Sequence, residues 1–158
     1  MAAAGKWKVY EQAKLDIANG LIDLDSHSFY IALYLSSSNC NTLSGTTTLA
    51  TLTNQVATNF GYTQVAGGGT GKAVTITTSQ ASGTVTVDET TNPQWSAAGG
   101  SITAMYAVII DDTHGSDQAL CVCLLDTAPA SVTATSGNTF TITQSVSGLF
   151  TISGGAID

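Results

Sequence analysis

Short runs in which apolar and polar residues alternate fill the second half of this chain. The clearest are KAVTITTS (72–79), GTVTVDE (83–89), SITAMYAVIID (101–111), QALCVCLLD (118–126) and NTFTITQ (138–144). A period of two places alternate side chains on opposite faces of an extended strand. Glycine, asparagine and serine, which favour turns, separate the runs. The pattern predicts an all-β fold, an antiparallel β-sandwich or jelly-roll-like domain.

Composition supports extended structure and an assembled state. Threonine, whose β-branched side chain favours strands, accounts for 25 of the 158 residues. Apolar residues make up 43%, too many for a disordered chain, and charged residues only 9%. Interfaces in permanent assemblies are more apolar than ordinary surface. We therefore expect a homo-oligomer or a component of a lattice, a trimer being one form considered.

The N-terminal segment has helical rather than alternating spacing. Trp7, Tyr10, Ala13 and Ile17 recur every three or four residues, and Gly20 follows where a helix cap is expected. The spacing predicts a short amphipathic helix that docks by its aromatic face. Two alternatives stay open: the helix anchors the protein to a partner, or it plugs the protein's own sandwich.

The rest of the first half gives three further expectations. FYIALYL (29–35) reads as a strand buried on both faces, and apolar spacing within 49–59 predicts one short internal helix. No linker composition divides the chain. The predicted organisation is an N-terminal helical arm over 1–20 and one β-sandwich domain over 21–158.

Charge limits the classes of partner. The net charge is −7, arginine is absent, and the only lysines are Lys6, Lys8, Lys14 and Lys72. Phosphate recognition relies on arginine forks and basic patches, so we expect no nucleic-acid partner. No apolar run approaches the length of a membrane span or a signal peptide. We expect a soluble protein made in a cytoplasm, with no membrane partner.

Residues 102–126 contain the groups most suggestive of catalysis. Asp111, Asp112, His114 and Asp117 lie between two apolar runs, in the connector DDTHGSD. A metal or acid–base cluster is one interpretation. Turn chemistry accounts for the same residues, and the ligand series of a calcium loop or a zinc site is missing. We therefore predict a β-hairpin with a polar turn, no catalytic residue, no metal site and no cofactor.

Two other groups have a structural and a chemical interpretation. Asp23, Asp25 and His27 could share one strand face and hold a metal, but Asp and Ser at these positions favour a solvent-facing turn. Cys121 and Cys123 are spaced two apart in a strand, which fits a disulfide poorly, so we expect reduced, buried thiols. Cys40, in a polar loop, is expected to be exposed.

Three segments in order resemble a family of tailed-bacteriophage virion structural proteins. They are VYEQAKLDIANGLIDLDSHSFYIALYLSS (9–37), TLATLTNQVATNFGYTQ (48–64) and WSAAGGSITAMYAVIIDD (95–112), and the shared features include GLIDLD, ALY, NQVA and GYT. The resemblance covers about two thirds of the chain (7–112). This chain departs from the family in its glycine loop, VAGGGTGK (65–72), and in having no arginine near ITAMY.

The resemblance implies a non-enzymatic head decoration or cement protein. Its expected partners are the major capsid protein and further copies of itself, and its expected location is the capsid surface of the virion, after synthesis in the host cytoplasm. Trp7, Tyr10 and Ile17 are the candidate interface anchors. A tail, neck or fibre component is the close alternative. A carbohydrate-binding sandwich is a more distant one, because aromatic residues are only 7% of the chain.

Overall fold

The computed structural model describes residues 5–143 and 147–154. These residues form an all-β, sandwich-like fold with antiparallel sheets, one α-helix and one 3-10 turn, as the alternating pattern predicts. The elements are β1 (Lys8–Val9), α1 (Glu11–Ala18), β2 (Phe29–Tyr34), the 3-10 turn (Leu49–Thr51), β3 (Lys72–Val74), β4 (Ile76–Ala81), β5 (Thr84–Glu89), β6 (Gln94–Ser96), β7 (Ile102–Ala104), β8 (Tyr106–Asp111), β9 (Gln118–Leu124), β10 (Val132–Ala134), β11 (Thr139–Thr141) and β12 (Phe150–Ser153).

The core lies on a five-stranded antiparallel sheet of order β1-β9-β8-β2-β3. Its three central strands are buried along almost their whole length. The alternation expected for 101–111 and 118–126 therefore gives way in β8 and β9 to continuous apolar residues that are buried on both faces. β8 and β9 form the predicted hairpin, with Tyr106 opposite Leu124 and Asp111 opposite Gln118. The register shifts between Ile109 and Ile110, where a bulge interrupts the ladder.

Smaller sheets surround this one. β12-β5-β4 forms a three-stranded sheet, and β7 pairs with β10 and β6 with β11. The β4–β5 hairpin turns at Ser82 and Gly83, whose φ angles of 50° and 78° give the twist that two-residue hairpins favour. Trp95 packs against Tyr62 and Phe140, with ring centroids 5.7 and 6.1 Å away. This aromatic contact joins the β6–β11 pair to the core.

The N-terminal helix is shorter than its spacing predicts. The segment before Tyr10 is extended rather than helical, and its strand β1 pairs with β9. Gly5 N–H donates to Leu124 C=O at 2.7 Å, and Tyr10 N–H donates to Leu120 C=O at 3.1 Å. Helix α1 therefore begins only at Glu11, because the preceding backbone satisfies the outer edge of β9. The described part of the 1–20 arm contributes a strand to the main sheet.

The internal helix is present as a single 3-10 turn, Leu49–Thr51. Beyond it the chain is extended, since Leu35 N–H donates to Asn54 C=O and Val56 N–H donates to Leu33 C=O. These bonds to the end of β2 take the place of helical bonds. The apolar spacing within 49–59 therefore covers more residues than the three that form the helical turn.

Candidate functional site

The polar connector between β8 and β9 is organised by one buried carboxylate. Asp111 is fully buried at the end of β8. Its Oδ1 accepts hydrogen bonds from Thr113 N–H at 3.0 Å and His114 N–H at 3.1 Å, and its Oδ2 lies 2.7 Å from His27 Nδ1. Both oxygens are therefore engaged, one in closing the turn and the other in fixing the segment that leads into β2.

A second histidine–carboxylate contact connects the connector to helix α1. Asp16 is 3% exposed, its Oδ1 accepts a hydrogen bond from Gln12 Nε2 at 2.8 Å, and its Oδ2 lies 3.9 Å from His114 Nε2. Asp16 was not among the predicted functional residues. Its position three residues after the buried Ala13 on the helix is the signal that could have placed it on the inward face.

Carboxylates also meet the glycine loop at this end of the sheet. Asp112 Oδ2 accepts a hydrogen bond from Gly69 N–H at 2.8 Å, while its buried Oδ1 has no hydrogen-bond partner among the described residues. Gly67 has a φ of 76°, which favours glycine, and a Cβ there would lie 2.8 Å from Asp117 Oδ2. Burial raises the pKa of Asp117, and the nearby carboxylates of Asp112 and Asp111 raise it further.

These side chains connect neighbouring elements of the fold through hydrogen bonds and ion pairs. Within 5–143 and 147–154, no group of three or more His, Cys, Asp or Glu side chains is placed to hold a metal ion. The two histidines contact different carboxylates, Asp111 and Asp16. The arrangement fastens helix α1, the turn before β2 and the glycine loop to one hairpin connector.

Asp23, Asp25 and His27 do not gather on one strand face. Asp23 Oδ1 accepts hydrogen bonds from the N–H groups of Asp25 and Ser26, and its Oδ2 accepts one from Ser26 Oγ at 2.6 Å. The bonds from the Ser26 hydroxyl and the Asp25 amide hold the pKa of Asp23 below its usual value. The predicted exposed turn is confirmed, and the His27 ring contacts Asp111.

The cysteines confirm one expectation and correct another. Cys121 and Cys123 are buried thiols without a disulfide, as predicted. Cys40, expected to be exposed, is instead fully buried. Its loop folds over the N-terminal segment, and Tyr10 Oη donates a hydrogen bond to Cys40 C=O. Burial raises the pKa of all three thiols, that of Cys123 to about 11, which opposes formation of the nucleophilic thiolate.

The three candidate anchors lie against the protein's own core. Tyr10 is fully buried, Trp7 is 9% exposed, and Ile17 is half-buried against the same cluster. While the segment stays docked, Trp7 and Tyr10 offer almost no surface to a partner. The burial therefore favours the plug over the anchor for these two residues.

Comparisons with known proteins add no relative. No protein-family model, no curated protein and no solved structure matches the chain. In the described ranges no helix is both long and apolar enough to span a bilayer.

Proposed function

We propose that this protein is a non-enzymatic structural component of a tailed-phage virion, a decoration or cement protein on the capsid surface. The observation that carries the proposal is the ordered resemblance of the three segments 9–37, 48–64 and 95–112 to that family. The all-β fold and the low share of charged residues support it, because both suit a small module packed into a shell.

The positions of these segments also support the proposal. Segment 9–37 includes α1 and β2, and segment 95–112 includes β7 and β8. β2 and β8 are adjacent along their full length, from Phe29 opposite Asp111 to Tyr34 opposite Tyr106. The first and third segments, which are distant in the chain, thus pair in the core sheet, and the second contacts β2 through an isolated bridge between Tyr34 and Gln55.

The expected mechanism is burial repeated over many copies. Each apolar patch removed from water contributes about 25 cal/mol per Å². Seating on a lattice of major capsid protein adds avidity, since neighbouring contacts raise the effective concentration. Modest contacts per copy then stabilise the head as a whole.

The test is the amount of this protein in purified virions relative to the major shell protein. A decoration protein is expected in a fixed ratio to the shell protein, with copies over the whole head. Quantitative mass spectrometry of gradient-purified particles measures that ratio. Absence from the particles overturns the proposal.

Electron microscopy of particles carrying a labelled copy separates the alternatives in location. Label over the whole capsid agrees with a decoration protein. Label at one vertex, or along the tail, replaces it with the tail, neck or fibre component. The carbohydrate-binding sandwich predicts affinity for a glycan array that Asp112→Asn or His114→Ala weakens, and such a result counts against a purely structural role.

A further inference from the structure

The three-stranded sheet ends in two free edges. Among the described residues, β12 and β4 each pair only with β5. Their sequences, FTIS and ITTSQA, contain no charged residue and no proline, and most of their residues are exposed. Natural sheets guard free edges with charges, proline or bulges. Two unguarded edges on one sheet leave both open to another strand.

The β12 edge borders a groove with a positive charge. The groove encloses about 430 Å³ and is lined by Val9, Lys14, Ile17, Ala18 and the strand residues Phe150, Thr151, Ile152 and Ser153. Ile152 is 44% exposed, a high value for an apolar side chain of a strand. The lining has one lysine and no carboxylate, although acids outnumber lysines 11 to 4 in the chain.

The β4 edge has the opposite charge. Thr78 of β4 borders a second groove of about 370 Å³, whose lining also includes Ile17, Gly20, Ile22, Asp23, Leu24 and Asp25. This lining has two carboxylates and no lysine. Helix α1 and the turn after it therefore place a cation beside one free edge and acids beside the other.

We propose that the occupant of each edge is a second copy of this chain, and that copies join head to tail, the β12 edge of one against the β4 edge of the next. Pairing of like edges would place Lys14 near Lys14, or Asp23 and Asp25 near themselves. Pairing of unlike edges brings lysine to carboxylates, which matters for copies that each carry a net charge of −7.

Head-to-tail pairing has a consequence for copy number. Each joined pair still has one free β12 edge and one free β4 edge, so association continues beyond two copies until a ring closes. β12 and β4 are both antiparallel to β5 and therefore run in the same direction. The sheet could thus continue from copy to copy. For its purpose this inference rests on the proposed shell role, in which further copies of the chain are expected partners.

Sedimentation velocity of the isolated protein over a concentration series tests the inference. The wild type is expected to form a species larger than a dimer. Ile152→Glu places an acid on the edge that faces the partner's Asp23 and Asp25, and Thr78→Lys places a cation on the edge that faces the partner's Lys14. Each is expected to raise the dissociation constant about tenfold or more. Thr139→Glu and Thr139→Lys, which add the same charges to the exposed face of β11, are the matched controls and are expected to associate like the wild type.

Mixing the two edge variants gives the sharpest result. Ile152→Glu keeps an intact β4 edge and Thr78→Lys keeps an intact β12 edge, so an equimolar mixture is expected to associate at concentrations at which neither variant does so alone. This complementation also shows that both variants are folded. A dimer that Ile152→Glu abolishes and Thr78→Lys leaves intact identifies pairing of like edges and overturns the inference.

Charge reversal tests the electrostatic part. Lys14→Glu and Asp25→Lys are each expected to weaken association. The mixture of the two is expected to regain it, because both kinds of contact between unlike copies again join opposite charges. Wild-type protein that stays monomeric up to its solubility limit also overturns the inference. Virion stoichiometry is a separate measurement, so protein that self-associates but is absent from particles contradicts only the proposed function.

Discussion

Two buried tyrosines differ in what their hydroxyl groups contact. Tyr10 and Tyr34 are both fully buried. Tyr10 Oη donates to Cys40 C=O, whereas Tyr34 Oη has no hydrogen-bond partner among the described residues. A buried polar group without a partner costs free energy of folding, while a paired group contributes modestly. The two positions therefore respond in opposite directions to loss of the hydroxyl.

Removal of each hydroxyl gives a matched pair of variants. Tyr10→Phe leaves the Cys40 carbonyl unpaired and is expected to lower the free energy of unfolding by about 1–2 kcal/mol. Tyr34→Phe removes an unpaired polar atom and is expected to leave the free energy unchanged or to raise it. Urea denaturation followed by tryptophan fluorescence measures both. Equal losses in the two variants would contradict these assigned contacts.

Asp117 offers a residue-scale prediction with a defined pH dependence. Burial and the carboxylates of Asp112 and Asp111 raise its pKa. A raised pKa in the folded state means that the associated stability is present at low pH and is lost as pH rises through the folded value. Asp117→Asn is therefore expected to raise the melting temperature by a few degrees at neutral pH, and asparagine tolerates the φ of 48° at this position.

The gain from Asp117→Asn should vanish near pH 3, where the wild-type side chain is protonated as well. Glu11→Gln removes one negative charge at an exposed position of α1 and serves as the control. Differential scanning calorimetry at both pH values provides the comparison. A lower melting temperature for Asp117→Asn at neutral pH is the contrary result.

At the scale of elements, local sequence pattern predicted the strands, whereas contacts between distant parts of the chain determined the structure of the N-terminal segment and of the Cys40 loop. The hairpin of β8 and β9 could be predicted because apolar runs of strand length and turn residues are local signals. The helical spacing of Trp7 and Tyr10 was misleading, because the chain before Tyr10 is drawn into an edge strand by β9, more than 100 residues away. For the same reason the sequence could not show that Asp16 faces His114, or that the loop of Cys40 is buried.

The N-terminal strand is expected to matter for stability. Deletion of residues 1–10 removes Trp7 and Tyr10 from the core and exposes the outer edge of β9. Loss of a buried large aromatic side chain costs about 3–5 kcal/mol, which is a large part of the stability of a domain of this size. The truncated protein is expected to melt at a much lower temperature or to remain unfolded, as circular dichroism can show.

Retention of a stable sandwich after this deletion would revive the alternative in which the segment is a detachable anchor. Leu15→Ala is the comparison variant for the deletion, because it shortens a side chain on α1 that is 52% exposed. That substitution is expected to leave the melting temperature nearly unchanged, because it removes little buried area.

At the scale of the whole molecule, the thiols report on global opening. Cys40, Cys121 and Cys123 lie in two distant parts of the chain, and all are buried with raised pKa values. Their reaction with a thiol reagent at pH 8 is expected to be slow in the native protein and to reach three equivalents in denaturant. One thiol that reacts at once would indicate a locally open loop. Peptide mapping would identify the modified residue, and Cys40 is the expected one because it lies in a loop whereas the other two lie in β9.

The pairing of β1 with β9 also sets an order of events during synthesis. Residues 8 and 9 are synthesised more than 100 residues ahead of their partners, residues 122 and 121. The intervening segment must therefore emerge before the main sheet acquires its outer strand. A nascent chain interrupted before that point lacks the Leu120 carbonyl to which Tyr10 N–H donates, and we expect Trp7 and Tyr10 to stay accessible to solvent until β9 is made.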